Sequence, residues 1–161
     1  MKVEIIEEIL GKMLIDRGLT LSSAESCTGG LIASTLISYP GISEVFMEGA
    51  VTYSNEAKIR RLNVNKETLD KYGAVSEQVA IEMAEGIAKT SGTDIGIATT
   101  GIAGPGGGTA EKPVGLVYIG IFINRKAYAK KYVFKGNRAK VRNSATITAL
   151  DMIKQEVEGM S

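Results

Sequence analysis

Residues 20–38 read Thr20-Leu-Ser-Ser-Ala-Glu-Ser-Cys-Thr-Gly-Gly-Leu-Ile-Ala-Ser-Thr-Leu-Ile-Ser38, and this stretch sets the fold class. Residues 20–24 have the composition of a short strand, Gly29-Gly30 opens a helix, and Pro40-Gly41 ends it. A strand that runs into a helix through small residues is the first part of an α/β unit. The same alternation continues on both sides. Upstream, Val3, Ile6, Ile9, Leu10, Met13 and Leu14 recur at helical spacing and Gly18 follows as a stop, which predicts an amphipathic helix over 2–17. Downstream, residues 45–53 read as a strand and 55–62 as a helical turn or two. Ser76-Glu77-Gln78 ahead of Val79, Met83 and Ile87 predicts a capped helix to about Thr90. Residues 94–100 read as a buried strand, and 101–113 as a Gly/Pro-rich loop. Strands over 114–123 and 127–134 are joined by a tight turn at Asn124-Arg125-Lys126. A last helix spans about 138–157, with Val141, Ala145, Thr148, Leu150 and Ile153 available for its inner face. The pattern predicts an α/β sheet covered by helices on both faces, and the terminal hairpin makes that sheet mixed.

Composition sets the outer limits. The chain has 161 residues, 44% hydrophobic and 23% charged, with a formal net charge of +1. That is enough for one domain of ordinary size, and residues 1–161 show no linker, repeat or low-complexity segment. The balance is that of a soluble globular chain, and no apolar run reaches the ~18–20 residues that cross a bilayer. The N-terminus, Met1-Lys-Val-Glu-Ile-Ile-Glu-Glu, is too acidic for a signal peptide. The single cysteine, Cys27, cannot form an internal disulfide, as expected of a cytoplasmic protein. Histidine is absent. This excludes Ser-His-Asp and Cys-His machinery and H-E-x-x-H zinc sites, so a catalytic base must be Lys, Tyr or a carboxylate.

Four segments could carry chemistry. Ser23-Ala24-Glu25-Ser26-Cys27-Thr28-Gly29-Gly30 sits at a strand-to-helix turn, where open α/β folds bind ligands. Its amides at residues 27–30 would emerge from a helix N-terminus and could hold an oxyanion or a phosphate. Ser26 stands where a nucleophile is useful, although Ser and Thr before a helix also serve as plain caps. Cys27 is a rival nucleophile, although a lone cysteine is more often a packed one. Val51-Thr52-Tyr53-Ser54-Asn55-Glu56-Ala57-Lys58 offers Lys58 and Tyr53 as proton acceptors for a serine. A lysine base must be neutral, which requires burial or a nearby positive charge such as Arg60 or Arg61, and an exposed Lys would merely be solvated.

The third segment, Thr99-Thr100-Gly101-Ile102-Ala103-Gly104-Pro105-Gly106-Gly107-Gly108-Thr109, can expose amides to an anion. It lacks the P-loop Lys and is not followed by the helix of a dinucleotide fingerprint, so alone it is equally a flexible connection. The fourth carries Arg125, Lys126, Lys130, Lys131, Lys135, Arg138, Lys140 and Arg142 with no acid between. It could serve a substrate phosphate or form a solvated, lysine-guarded strand edge. The total charge of +1 argues against bulk nucleic-acid binding.

In combination the segments are far more specific. Ala24-Glu-Ser-Cys-Thr-Gly-Gly30, Val51-Thr-Tyr-Ser-Asn-Glu-Ala-Lys58, Tyr72-Gly-Ala-Val-Ser76, Thr100-Gly-Ile-Ala-Gly-Pro-Gly-Gly107 and Lys112-Pro-Val-Gly115 follow in order. The series resembles the CinA C-terminal domain family, the nicotinamide-nucleotide amidases, over nearly the whole chain. The resemblance implies a three-layer α/β/α sandwich with a mixed, mostly parallel sheet. It also implies deamidation of nicotinamide mononucleotide to nicotinate mononucleotide and ammonia, with neither metal nor organic cofactor. It places the catalytic serine on Ser26 and its helpers on Tyr53 and Lys58. Substrate contacts are expected from Thr28, Gly29, Gly30, Gly101, Gly104, Gly106 and Gly107. The phosphate partner is expected at Arg142, with Arg138 as the second possibility. Many members carry this domain fused to a larger domain of molybdopterin-binding type, and a homo-oligomer is expected. The competing reading keeps the fold and makes the domain a non-catalytic nucleotide- or partner-binding module of the competence/damage-inducible type.

Overall fold

In the computed structural model, which describes residues 5–160, the chain forms five strands, six α-helices and one short 3-10 helix (Ile42–Glu44) among the described residues. In order the strands and α-helices are α1 (Ile6–Arg17), β1 (Leu21–Glu25), α2 (Leu31–Leu36), β2 (Phe46–Val51), α3 (Asn55–Leu62), α4 (Lys66–Tyr72), α5 (Glu77–Ser91), β3 (Ile95–Gly101), β4 (Leu116–Ile123), β5 (Lys126–Val133) and α6 (Arg138–Glu158). Part of the helix predicted over 2–17, including Val3, lies outside the described residues.

The sheet order is β2-β1-β3-β4-β5. β1 runs parallel to both β2 and β3, β4 is antiparallel to β3, and β5 is antiparallel to β4. Four strands therefore point one way and only β4 opposes them, which makes the sheet mixed and mostly parallel. The β4–β5 hairpin closes on Asn124 and Arg125, with φ of 54° and 62°. Two successive left-handed residues match the twist of the strands they join, and Asn tolerates that conformation better than most residues.

Alternation along the strands sorts the core into two halves. Leu21, Ile95, Ile97, Val117, Ile119, Ile121 and Ile123 face α1, α2 and α6. Ala24 and Ala98 face the other way, toward α5, which α3 and α4 flank. This second face is built from small residues because α5 lies very close to the sheet. A Cβ on Gly96 would sit 2.1 Å from the Ala84 carbonyl oxygen, and one on Gly120 would sit 2.3 Å from that of Ala80. The result is an α/β/α sandwich.

Local signals fix several helix starts. Ser54 Oγ accepts from the Ala57 amide (3.1 Å), Ser76 Oγ from Val79 (3.2 Å), and Asn137 Oδ1 from Lys140 (2.9 Å). Two expectations are corrected. Residues 66–72, which the sequence pattern leaves unassigned, form α4. On α6, Thr148 is only half-buried, while Thr146 and Ala149 join the inner face. With β1, β2 and β3 parallel, their carboxyl ends share one edge of the sheet, and the site is built there.

Candidate active site

Ser26 directly follows β1 and is nine-tenths buried, its amide bonded to the Thr99 carbonyl at 3.0 Å. It thus keeps the β1–β3 ladder going for one more residue before the chain turns. Across the neighbouring strand end, Lys58 enters from α3, the helix capped by Ser54. Its Nζ lies 3.0 Å from Ser26 Oγ, 2.8 Å from the Thr52 carbonyl oxygen and 3.2 Å from that of Tyr53. Lys58 is 1% exposed. Burial penalises its charged form and lowers its pKa from 10.5 to about 8.

The partners of Nζ decide what a neutral Lys58 can do. Two of the three are backbone carbonyls, which only accept. A neutral amine has two N–H bonds and one lone pair, and the carbonyls of Thr52 and Tyr53 claim both hydrogens. The lone pair is then left facing Ser26, whose hydroxyl must be the donor. Loss of one proton from Lys58 therefore converts Ser26 from an acceptor into a donor aimed at a base, as general-base activation requires. Depression of the lysine comes from burial, and Arg61 has no part in it. That guanidinium is turned to Glu48 (Nε to Oε1 3.2 Å) on the outer strand.

Cys27 is also buried, and burial pushes its thiol up to about 11. At neutral pH it remains a thiol beside a serine that has a base, which favours the oxygen as nucleophile.

Ser26, Cys27, Tyr53 and Lys58 form one wall of a cavity of about 280 Å³. Ala74 and Val75 form another, and residues 100–104, Gly106, Gly107 and Arg138 complete it. Thr100 Oγ1 donates to the Ala74 carbonyl (2.8 Å), and Lys112 Nζ to that of Tyr72 (2.6 Å). The Tyr72–Ser76 and Lys112–Gly115 motifs thereby brace the glycine loop. Arg138 donates to the Gly104 carbonyl at 2.9 Å and, among the described residues, is the one arginine on the cavity wall. Tyr53 contributes its carbonyl to Lys58 and an exposed ring to the cavity wall; its phenol forms no hydrogen bond to Ser26 or Lys58.

Ser26, Tyr53, Lys58, Gly101, Gly104, Gly106, Gly107 and Arg138 are thus brought together, and four expected contact residues are not. Arg142 turns away from the cavity, donating from Nε to the Cys27 carbonyl and from a terminal nitrogen to that of Thr28, both at 3.1 Å. Its side chain holds the turn. Thr28 is fully buried, with its hydroxyl bonded to Glu25 (2.6 Å) and Thr99 (2.7 Å). Gly29 packs against Arg142, where a Cβ would lie 3.1 Å from the guanidinium. Gly30 is the N-cap of α2.

The amides over 27–30 precede α2 and do not belong to its first turn. α2 begins at Leu31, the Gly29 amide bonds to the Ser26 carbonyl (3.1 Å), and the amides of Ile32 and Ala33 are taken by the Glu25 carboxylate (2.9 and 3.1 Å). Glu25 is the residue that motif reading passed over. The signal available was a buried-strand position holding an acid just ahead of two glycines that leave the following helix without a side-chain cap. Among the described residues, no three His, Cys, Asp or Glu side chains come together as a metal-ligating group, and no helix is long and apolar enough to cross a membrane.

Comparison with known proteins gives a consistent result. The family model described as the CinA C-terminal domain matches residues 3–157. A Clostridium perfringens protein named for competence-damage induction is 64% identical over 153 residues, covering 95% of this chain and 37% of that protein. A Clostridium beijerinckii relative with the same description is 65% identical over 150 residues, 93% of this chain and 37% of the relative. The chain therefore spans little more than a third of the length of these relatives. Among solved structures, a CinA superfamily protein from Klebsiella pneumoniae superposes with a TM-score of 0.92 at 34% identity, covering 96% of this chain and 97% of that one. A competence/damage-inducible protein from Agrobacterium tumefaciens gives 0.88 at 42% identity, with 96% and 98% covered.

Proposed function

The chain belongs to the CinA C-terminal domain family, and on that premise we propose that it is an amidohydrolase that converts nicotinamide mononucleotide to nicotinate mononucleotide and ammonia. The observation that carries this reading is the buried Lys58 amine, 3.0 Å from Ser26 Oγ with both its other contacts on carbonyl oxygens. A binding module has no use for a desolvated lysine beside a serine hydroxyl. An acyl-transfer enzyme without histidine can use that pair as nucleophile and base.

In the proposed reaction neutral Lys58 takes the Ser26 proton as Oγ bonds to the carboxamide carbon. The resulting oxyanion is met by the Cys27 amide, since the amide after a nucleophile at a strand-to-helix turn is the usual donor. The C–N bond then breaks, Lys58 returns the proton to the leaving nitrogen, and ammonia departs. Water, deprotonated by the same amine, hydrolyses the acyl-enzyme and regenerates Ser26. The substrate phosphate lies against Arg138 and the amides of the glycine loop, and Tyr53 orients the ring from the cavity wall. No step calls for a metal or an organic cofactor.

The test is ammonia release from nicotinamide mononucleotide by the purified protein, with Ser26→Ala and Cys27→Ala in parallel. Release that disappears in Ser26→Ala is the expected outcome. A Ser26→Ala protein that keeps most of its kcat, while Cys27→Ala loses it, would move the nucleophile to sulfur and overturn the assignment. A folded wild type that releases no ammonia would remove the proposed reaction.

A further inference from the structure

We propose that Glu25 is the positioning residue for Ser26: its buried carboxylate ties the turn that carries the nucleophile to α2 and, through Thr28, to β3. This rests on the reading of Ser26 as the nucleophile. Glu25 is the last residue of β1, 1% exposed, and its side chain reaches forward beneath the turn. One oxygen accepts from Thr28 Oγ1 at 2.6 Å and from the Ile32 amide at 2.9 Å, and the other accepts from the Ala33 amide at 3.1 Å.

Directions along this chain of bonds follow from the chemistry. A carboxylate that receives two amide hydrogens can only accept, so the Thr28 hydroxyl must donate to it. The 2.7 Å contact between the hydroxyls of Thr28 and Thr99 then has Thr99 as donor. Thr99 also accepts the Ser26 amide through its carbonyl. Ser26 therefore sits inside a ring of bonds that runs from β3 through Thr28 to Glu25 and back along β1.

The charge has a second function. α2 has Gly30 as its N-cap and so no side-chain cap of its own, and Glu25 supplies one from the preceding strand. A negative group at a helix N-terminus is favoured there, and its two oxygens satisfy amides that burial would otherwise leave unpaired. A neutral amide at position 25 would set an NH2 group against an amide N–H or the Thr28 hydroxyl. The turn would then lose its fixed spacing from Lys58, and a nucleophile displaced by a fraction of an ångström reacts slowly. Arg142, bonded to the Cys27 and Thr28 carbonyls, grips the same turn from α6.

The test uses the reactivity of Ser26 itself as well as turnover. A fluorophosphonate reports on the nucleophile without needing the true substrate: Ser26 Oγ bonds to phosphorus, fluoride leaves, and Lys58 takes the proton. Glu25→Gln and Thr28→Val are expected to slow labelling of Ser26, followed by mass spectrometry, by about 10- to 100-fold. For ammonia release kcat should fall by a similar factor, with KM and the pH limb near 8 unmoved. Thr28→Ser, which keeps the bridging hydroxyl, should restore both. A general loss of fold would not respect that Ser–Val difference. If Glu25→Gln fails to fold, Thr28→Val carries the test, since it removes one hydroxyl from an otherwise similar shape.

Wild-type labelling rates in folded Glu25→Gln and Thr28→Val would overturn the positioning role alone. A wild type that labels but releases no ammonia would sink only the substrate assignment, leaving the labelling series to decide. A wild-type Ser26 that neither labels nor turns over would remove the nucleophile reading and this proposal with it.

Discussion

Two strand ends meet at the cavity and are built in opposite ways. After β1, residues 25–28 are all buried, and the turn is bonded on several sides: by Glu25 to α2, by Thr28 to β3, and by Arg142 to α6. After β3, residues 105–110 are all exposed, with glycine at three of the six positions. Arg138 and Val114 are the main side chains that restrain this loop near Gly104. The first arrangement fixes one oxygen and one nitrogen to within a hydrogen bond. The second offers amides and one guanidinium to a ligand with little side-chain bulk in the way. In the proposed reaction, chemistry is thus carried by the rigid strand end, and recognition by the open one.

That division predicts which kinetic constant each substitution moves. Ser26→Ala should show the largest effect, a fall in kcat on the order of 10⁴- to 10⁶-fold, measured as ammonia release. Lys58→Met comes next, at about 10²- to 10⁴-fold in kcat, since it removes general-base help but leaves the serine in place. Arg138→Gln should lose about 10- to 100-fold, mostly as a higher KM for the phosphorylated substrate, and little for the corresponding nucleoside. A loss in kcat that is equal for nucleotide and nucleoside would break the division, because Arg138 would then be acting on the chemistry. Gly104→Ala should produce a smaller rise in KM. Gly104 has φ of 83°, and a Cβ there would meet Val114 Cγ1 at 2.4 Å, so the loop must shift.

The same contrast explains what could be read from sequence. The α/β class, the mixed sheet and most of the elements follow from periodicity, glycines and caps, because those signals are local. α4 escaped because seven residues with one buried side chain, Leu69, and an N-cap without a side-chain bond leave too little pattern. Ser26, Lys58 and the glycine loop were legible as motifs, yet the 3.0 Å contact between a serine just after β1 and a lysine on α3, the helix that follows β2, is a product of the parallel register. The choice between Arg138 and Arg142 shows the limit most clearly. The two lie one turn apart on α6, and only the course of the 26–29 turn determines which guanidinium meets carbonyls and which meets the cavity. Glu25 was hidden for a related reason, since its partners are mainly backbone amides that no side-chain motif records.

Lys58 also links the rigid end to stability. Its native pKa of about 8 lies below the value of 10.5 it would have when exposed. Between these values the unfolded chain holds a proton that the native amine lacks, so stability should rise with pH across that window. The slope is about 1.4 kcal/mol per pH unit from this group. Chemical denaturation of wild type and Lys58→Met at pH 8 and pH 10 measures it as a difference. The variant should lack this contribution, and equal slopes would show that the native amine is not depressed.

The most direct test of the Ser26–Lys58 pair is the pH dependence of kcat/KM for ammonia release. In the proposed mechanism neutral Lys58 is the active form, so the rate should rise tenfold per pH unit up to about 8 and then level off. A profile that is flat from pH 6 to 9 in the wild type would mean that no lysine near 8 controls the reaction, and Lys58 could not be the base.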